Sequence, residues 1–348
     1  MSPADRPFVS IIVPCRNEEG YVGKCLESIL GSDYPQERLE VLVVDGASDD
    51  RTREIVKRYA ERHPAIRLLD NPKRVTPAAL NIGIGAAQGE IVMRMDAHVT
   101  YPPHYIAASV ATLQETGADN VGGVIVTLPA DDTPVARAIA VALSHPFGVG
   151  TSRFRIGSRE RRWVDTVAFG CFRRELFARV GLFDEELVRN QDDEFNFRIL
   201  KHGGRVLLEP RVVAYYYARP SLRQVWRMWY QYGYFKPLVA KKVGRVMTAR
   251  QLVPALFVVG LAGSALLAPW LAVAQVVGGG IVAVYLAAAF ASAAGAVPRQ
   301  GLRCGLALAA AFPVIHLSNG LGYLEGVAVH LLGLGRRARK PRDLAISR

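Results

Sequence analysis

Val9-Ser10-Ile11-Ile12-Val13-Pro14-Cys15-Arg16-Asn17-Glu18-Glu19 is the stretch whose reading decides the fold. Val9 to Val13 is a short apolar, β-branched run stopped by Pro14. Tyr21, Val22, Cys25, Leu26, Ile29 and Leu30 then recur at helical spacing, so a strand leads into an amphipathic helix. The alternation continues outward. Leu39 to Val44 reads as a strand, Ile55, Val56 and Tyr59 mark a helix, and Ile66 to Leu69 is a strand again. Pro77 to Ala87 is an Ala-rich helix, Ile91 to Met95 a strand, Pro103 to Thr116 a helix and Asn120 to Val126 a strand. This order predicts an α/β fold with a doubly wound, mostly parallel sheet. Ligands of such sheets bind beyond the carboxyl ends of the strands. The residues there are Pro14 to Glu19, Asp45 to Asp50 and Asp96 to His98, an acidic edge.

The 348 residues suggest about two domains, and composition divides them. Residues 1–220 mix charges with apolar runs, whereas 252–333 contain only Arg299, Arg303 and Glu325 as charged residues. Leu252 to Ala274 and Val276 to Val297 are charge-free and each long enough to cross a bilayer. A third apolar region, Gly305 to Leu334, is interrupted by Pro313, His316, Asn319-Gly320 and Glu325. It could be a tilted span, a re-entrant hairpin or a surface element. Basic residues at 236–250 and again at 336–342 favour an even number of crossings, so re-entry is the expectation, with both basic flanks cytoplasmic. Residues 221–250, rich in Trp, Tyr, Arg and Lys, suit a helix in the membrane interface or one packed on the domain. The expected plan is a cytoplasmic domain at 1–220, an interfacial segment at 221–250, a membrane region at 251–335 and a basic cytoplasmic tail at 336–348.

The net charge of +12 flanks the apolar region, which points to an anionic membrane surface. No zinc-finger spacing or aromatic-basic interleaving accompanies it, so nucleic acid is not an expected partner. Cys15, Cys25, Cys171 and Cys304 form no C-x-x-C pair. The polar start Met1 to Pro7 is unlike a signal peptide, and the catalytic part is expected in a reducing cytosol.

Asp96 and His98, two apart after a strand, offer oxygen and imidazole to a divalent cation; alone, Asp96 could equally cap the next helix. With Asp45 and the 14–18 turn, they supply acceptors for a base and ribose and ligands for a metal-diphosphate. No G-x-G-x-x-G follows the first strand and no G-x-x-x-x-G-K-[ST] occurs, which disfavours a dinucleotide fold or a P-loop. Gln191-Asp192-Asp193-Glu194 opens a helical pattern. Its acids either complement the helix dipole or include a general base.

These segments in order, Ser10 to Glu19, Val43 to Asp50, Asp96-Ala97-His98 and the 191–194 acids, resemble the family 2 glycosyltransferases of the GT-A fold over about residues 8 to 245. Ala78 to Gly83, Asn190 to Glu194 and the C-terminal membrane region look most like the succinoglycan-biosynthesis glucosyltransferase branch. The resemblance implies an inverting transfer from a nucleotide diphosphate sugar, usually UDP-glucose, to a polyprenyl-linked acceptor at the plasma membrane. It places Pro14, Arg16, Glu18, Asp45, Asn81 and Asp96 at the nucleotide, although Arg16 stands where many relatives carry Tyr. Gly46 likewise replaces the second acid of the usual Asp-Asp-Gly-Ser turn. Asp96 and His98 take the D-x-D place, with Mn2+ or Mg2+ as cofactor and His98 for the second acid. Asp192 matches the base, Asp193 stays a competitor, and Arg198 matches the basic end of the motif. Gln224, Arg227 and Trp229 are close to a Q-x-x-R-W element, with Met228 intervening, and would face the acceptor or diphosphate, or simply anchor in the interface. Three other readings stay open: a processive polysaccharide synthase, a non-catalytic nucleotide-sugar-binding membrane protein, and a nucleotidyltransferase.

Overall fold

The structure, a computed structural model, describes residues 6–246 and 248–334. The described residues divide into two compact units: residues 6–126 with Gly157–Tyr216, and Thr127–Ile156 with residues 217–246 and 248–334. The expected basic tail at 336–348 lies outside the described residues.

The first unit is built on a nine-stranded sheet in the order β3-β2-β1-β4-β8-β6-β9-β5, with β7 also on β9. The strands are β1 Val9–Cys15, β2 Leu39–Asp45, β3 Ile66–Asp70, β4 Ile91–Arg94, β5 Val99–Thr100, β6 Asn120–Leu128, β7 Arg162–Trp163, β8 Cys171–Arg173 and β9 Val206–Tyr217. β1 and β2 are almost wholly buried, which is why they read as continuous apolar runs rather than alternating ones. β1 pairs in parallel with β2 and β4, and β2 with β3. Beyond β4 the sheet departs from the doubly wound parallel expectation. The short β8 enters antiparallel between β4 and β6, and β5 and β7 both run antiparallel to β9. The fold is thus a mixed sheet with helices. The parallel half keeps the strand ends of β1, β2 and β4 side by side, which is what a site there needs.

The helix Gln191–Lys201 follows a left-handed residue, Asn190, at φ 62°, and carries Asp192, Asp193 and Glu194 in its first turn. It is seated by Phe195, whose ring stacks on Phe183 at 4.3 Å and lies edge-on to Phe172 at 5.5 Å.

The second unit holds three helical segments long and apolar enough to cross a membrane: Ala249–Leu267, Ala272–Ala294 and Leu302–Leu331. The last is not a re-entrant hairpin. Leu302–Gly326 is one continuous helix with Pro313 inside it. Two of the polar residues expected to break it have partners instead: Tyr285 hydrogen-bonds His316 Nδ1 at 2.8 Å, and Asn319 donates to the Trp229 carbonyl at 3.2 Å. Residues 221–243 are not a free interfacial segment either. The helix Leu222–Val243 lies against Leu302–Gly326 so closely that a β-carbon at Gly322 or Gly326 would fall 2.1 or 2.3 Å from the carbonyl oxygens of Tyr230 and Tyr234. Residues 127–156, expected in the catalytic domain, join this unit because the helix Pro134–Ala142 packs on Leu302–Gly326. Arg137 ties that contact to the Gln300 carbonyl at 3.1 Å.

Candidate active site

The ends of β1, β2 and β4 carry the first three groups of site residues. At the end of β2 the Asp45 carboxylate is fully buried and fully occupied. It accepts from Ser48 Oγ, from the Ser48 amide at 3.1 Å and from Arg53 at 2.8 Å. Its work is to close the 45–53 turn. Asn17 and Ala47, at φ 55° and 54°, hold left-handed backbone at the two loop crests, strain of the kind that gathers at binding sites. Their crests are tied together, with the Asn17 amide donating to Ser48 Oγ at 2.9 Å and the Asp49 amide to Asn17 Oδ1 at 3.0 Å.

Pro14 ends β1 opposite Val44. Arg16 then turns over Gly46. A β-carbon at 46 would lie 3.3 Å from Arg16 Cβ, a tight contact, and 3.5 Å from the backbone of Arg74, an ordinary one. Arg16 Nε and Nη1 are buried and have no hydrogen-bond partner among the described residues. Two unmet N–H donors at a strand-end turn are costly unless an acceptor arrives.

Glu18, placed by resemblance at the nucleotide, is buried and bonded to His98, with Nδ1 at 2.8 Å from Oε1. The carboxylate accepts a hydrogen bond from Nδ1–H and leaves Nε2 for another contact, the arrangement that commonly orients a metal-binding imidazole. His98 also rests edge-on against Tyr216, ring centroids 5.4 Å apart. Among the described residues no three His, Cys, Asp or Glu side chains cluster to hold a metal ion. Asp96 and His98 would offer such an ion a carboxylate and an imidazole from one strand end, two donors whose other places a ligand's oxygens would have to fill.

The residue that organises the acids is one the sequence motifs do not single out. Arg94, the last residue of β4, is 8% exposed at its side chain and sends Nε and Nη2 to the two Asp96 oxygens at 2.7 and 3.0 Å, and Nη1 to Asp192 Oδ1. Burial works against its charge, but Asp192 and Asp96 more than offset this and hold its pKa above the ordinary arginine value. Asp192 is raised above the usual carboxylate value, first by burial, with Arg94 opposing and Asp96 and Asp193 adding to it. A signal existed: Arg94 is a lone charge in an apolar strand, two residues before Asp96 and hence on the same side of the strand.

Asp193 points elsewhere. Its Oδ1 accepts from Thr166 at 3.0 Å, and Thr166 joins the buried Asn196 and Asn120 in one chain of hydrogen bonds. Arg198 has all three nitrogens engaged, with Glu194 Oε1 and Oε2 at 2.7 and 2.8 Å and the Val180 and Leu182 carbonyls at 2.6 and 2.8 Å. Asn81 is likewise taken up, pinning Phe183 through its backbone N–H and C=O at 2.9 Å each, and Glu185 at 3.1 Å. Gln224, Arg227 and Trp229 belong to the second unit, on Leu222–Val243. Gln224 bonds Ser221 at the helix start at 3.0 Å, and Arg227 is exposed. At about 100° per residue, Arg227 and Trp229 diverge by roughly 160° around the helix, because Met228 intervenes. Trp229 Nε1 is buried without a partner among the described residues.

A mixed sheet of this order, with acids at successive strand ends and a further acid pair on a following helix, defines a glycosyltransferase of the GT-A fold. The Glycosyl transferase family 2 model matches residues 10–181. The succinoglycan biosynthesis protein ExoA of Rhizobium meliloti is 33% identical over 260 residues, 74% of this chain and 77% of that one. A dolichyl N-acetyl-alpha-D-glucosaminyl phosphate 3-beta-D-2,3-diacetamido-2,3-dideoxy-beta-D-glucuronosyltransferase of Methanococcus voltae is 31% identical over 243 residues, covering 68% and 74%. Among solved structures, the mannosyltransferase PcManGT from Pyrobaculum calidifontis, in complex with GDP-Man and Mn2+, superposes with a TM-score of 0.57 at 25% identity, covering 95% of this chain and 88% of that one. The chain belongs to family 2 of the glycosyltransferases.

Proposed function

We propose that this enzyme moves a single sugar, with inversion, from a nucleoside diphosphate sugar to a lipid-linked acceptor at the cytoplasmic face of the plasma membrane, in polysaccharide or glycolipid synthesis. UDP-glucose is the first donor to test. The observation that carries the reading is the joining of Asp96, the residue suited to a metal-diphosphate, to Asp192, a carboxylate with a raised pKa, through one arginine. The relatives support the direction: one is named for succinoglycan biosynthesis and one for transfer to a dolichyl-linked sugar, and a solved neighbour holds a nucleotide sugar with Mn2+.

In this reading Asp192 takes the proton of the acceptor hydroxyl as the oxygen attacks the anomeric carbon, and the nucleoside diphosphate departs. Burial keeps Asp192 basic enough for the task, while Arg94 holds one of its oxygens and so orients the other. Arg16 offers its two unmet donors to the nucleotide, and Asp45 shapes the neighbouring 45–53 turn. Glu18 orients His98. Asp96 and His98 would hold a divalent cation, which supplies a Lewis acid for the charge developing on the diphosphate. Arg198 and Asn81 act as struts for the helix Gln191–Lys201 and the 183–185 turn. The test is to incubate membranes carrying the protein with a panel of radiolabelled nucleotide sugars and extract the lipids. One new labelled lipid-linked band is expected. A ladder would make the enzyme processive, and nucleotide binding without any transfer would leave a sensor.

A further inference from the structure

Arg94 is unusual in its surroundings as well as its partners. It ends a strand whose other residues are Ile91, Val92 and Met93, all buried, and its guanidinium meets three carboxylate oxygens with three separate nitrogens. A fork of fixed geometry can serve two carboxylates at once, which a single ammonium on a flexible stem cannot do in the same way. The fork is backed on one side. The Phe169 ring centroid lies 5.9 Å from Cζ, and the Arg94 amide donates to the Gly170 carbonyl at 3.0 Å. Phe169 itself is buried in left-handed backbone at φ 54°, a conformation costly for an aromatic residue and maintained here where its ring abuts Arg94. Asp96 and Asp192 come from a strand end and from a helix start nearly a hundred positions away, and Arg94 is the bridge that joins their carboxylates.

We propose that Arg94 is a positioning residue that locks the donor-side carboxylate Asp96 and the base Asp192 into one rigid unit, so that the base is aimed before the acceptor arrives. This rests on Asp192 being the base. The bridge needs both the positive charge and the planar fork. It offsets the repulsion between two carboxylates held close, and it leaves the second Asp192 oxygen for the acceptor proton. Misplacement of a catalytic group by about 1 Å costs roughly 10²-fold in rate, which sets the expected effect.

The experiment uses the full chain in detergent with UDP-glucose, or the panel donor that labels lipid. Arg94→Lys, which keeps the charge, should lower kcat by about 10²-fold with donor KM changed less than threefold. Its melting temperature should stay close to that of the parent. Arg94→Met should lower kcat further, because the charge and the fork are both lost. In the Asp192→Asn background, Arg94→Lys should cost less than about threefold, since the base it aims is gone. Parental kcat in Arg94→Lys overturns the bridge. An equal loss in both backgrounds overturns it too, as does a loss that only follows the folded fraction. Parental turnover in Asp192→Asn would overturn the base assignment itself, and that result is distinct from the others.

Discussion

Exchanging the Asp192 carboxylate for an amide removes the proton acceptor and keeps the shape. In Asp192→Asn the new side chain can still accept one hydrogen bond from Arg94 through its amide oxygen, so the helix start should hold. What is lost is the basicity that burial and the neighbouring acids Asp96 and Asp193 confer. General-base catalysis contributes about 10² to 10⁴, and a carboxylate with one oxygen already held by Arg94 belongs in the middle of that range, so Asp192→Asn should reduce kcat about 10³-fold. Asp193 supplies the contrast. Its Oδ1 accepts from Thr166 at 3.0 Å, a bond an amide oxygen can keep, so Asp193→Asn costs at most about 1 kcal/mol, or fivefold. The assay is the initial rate of radiolabelled sugar transfer into extractable lipid at saturating donor, with circular dichroism to confirm folding of each variant. The reasoning is refuted if Asp193→Asn loses as much as Asp192→Asn, or if Asp192→Asn keeps more than a tenth of the parental rate.

Excess EDTA should abolish transfer and Mn2+ restore it, and Glu18→Gln, which loosens the grip on His98 Nδ1, should raise the Mn2+ needed for half-activation about tenfold; activity indifferent to chelation would remove the metal from the scheme. Gly46→Val puts a β-carbon 3.3 Å from Arg16 Cβ and adds two methyl groups beyond it, which should displace Arg16, so donor KM should rise about tenfold with kcat nearly kept, and an unchanged KM would place Arg16 outside the nucleotide pocket. Acid stability reports on a separate cluster. Burial raises the Glu209 pKa, but hydrogen bonds from Arg211 and Arg161 outweigh it and hold the group at about 2, below the free value of 4.5. A depressed carboxylate stabilises the fold fully above pH 4.5 and loses that contribution as pH falls through 2. The shift corresponds to about 3 kcal/mol, reduced by solvent screening at the exposed Arg211. Glu209→Gln should therefore lower the melting temperature at pH 7 and flatten its fall between about pH 5 and 2, and an unaltered melting curve at pH 7 would contradict the assignment.

The parallel half of the sheet is legible because β1, β2 and β4 are buried on both faces and announce themselves as apolar runs of the right length. Of the antiparallel half only β6 is read, since β8 has three residues and β5 and β7 two each, too short for any periodicity to emerge, and the apolar run of β9 is broken by Glu209, Pro210 and Arg211. The site shows the same division. Asp45, Asp96 and Asp192 stand at element ends and can be found by position. Arg94 is marked only as a lone charge in an apolar strand, and its distance in sequence from Asp192 hides their contact. Likewise the polar chain from Asp193 through Thr166 to Asn196 and Asn120 joins a loop, a helix and a strand, and no spacing rule connects them.

The membrane region departs from expectation for a different reason. Pro313, His316 and Asn319 look like interruptions when a helix is judged by hydropathy alone, because a polar group in hydrocarbon costs several kcal/mol if unmet. In the second unit they are met by partners on other helices, Tyr285 for His316 and the Trp229 carbonyl for Asn319. Gly322 and Gly326, four apart, line the same helix face and admit the backbone of Leu222–Val243 to contact. The aromatic and basic residues of 222–243, which suggest a membrane surface, therefore share their helix with a buried face formed by Val225, Met228, Gln231, Gly233 and Tyr234. Small residues and hydrogen-bonding side chains at helical spacing in a polar-punctured apolar segment are thus better read as a request for a neighbouring helix than as a break.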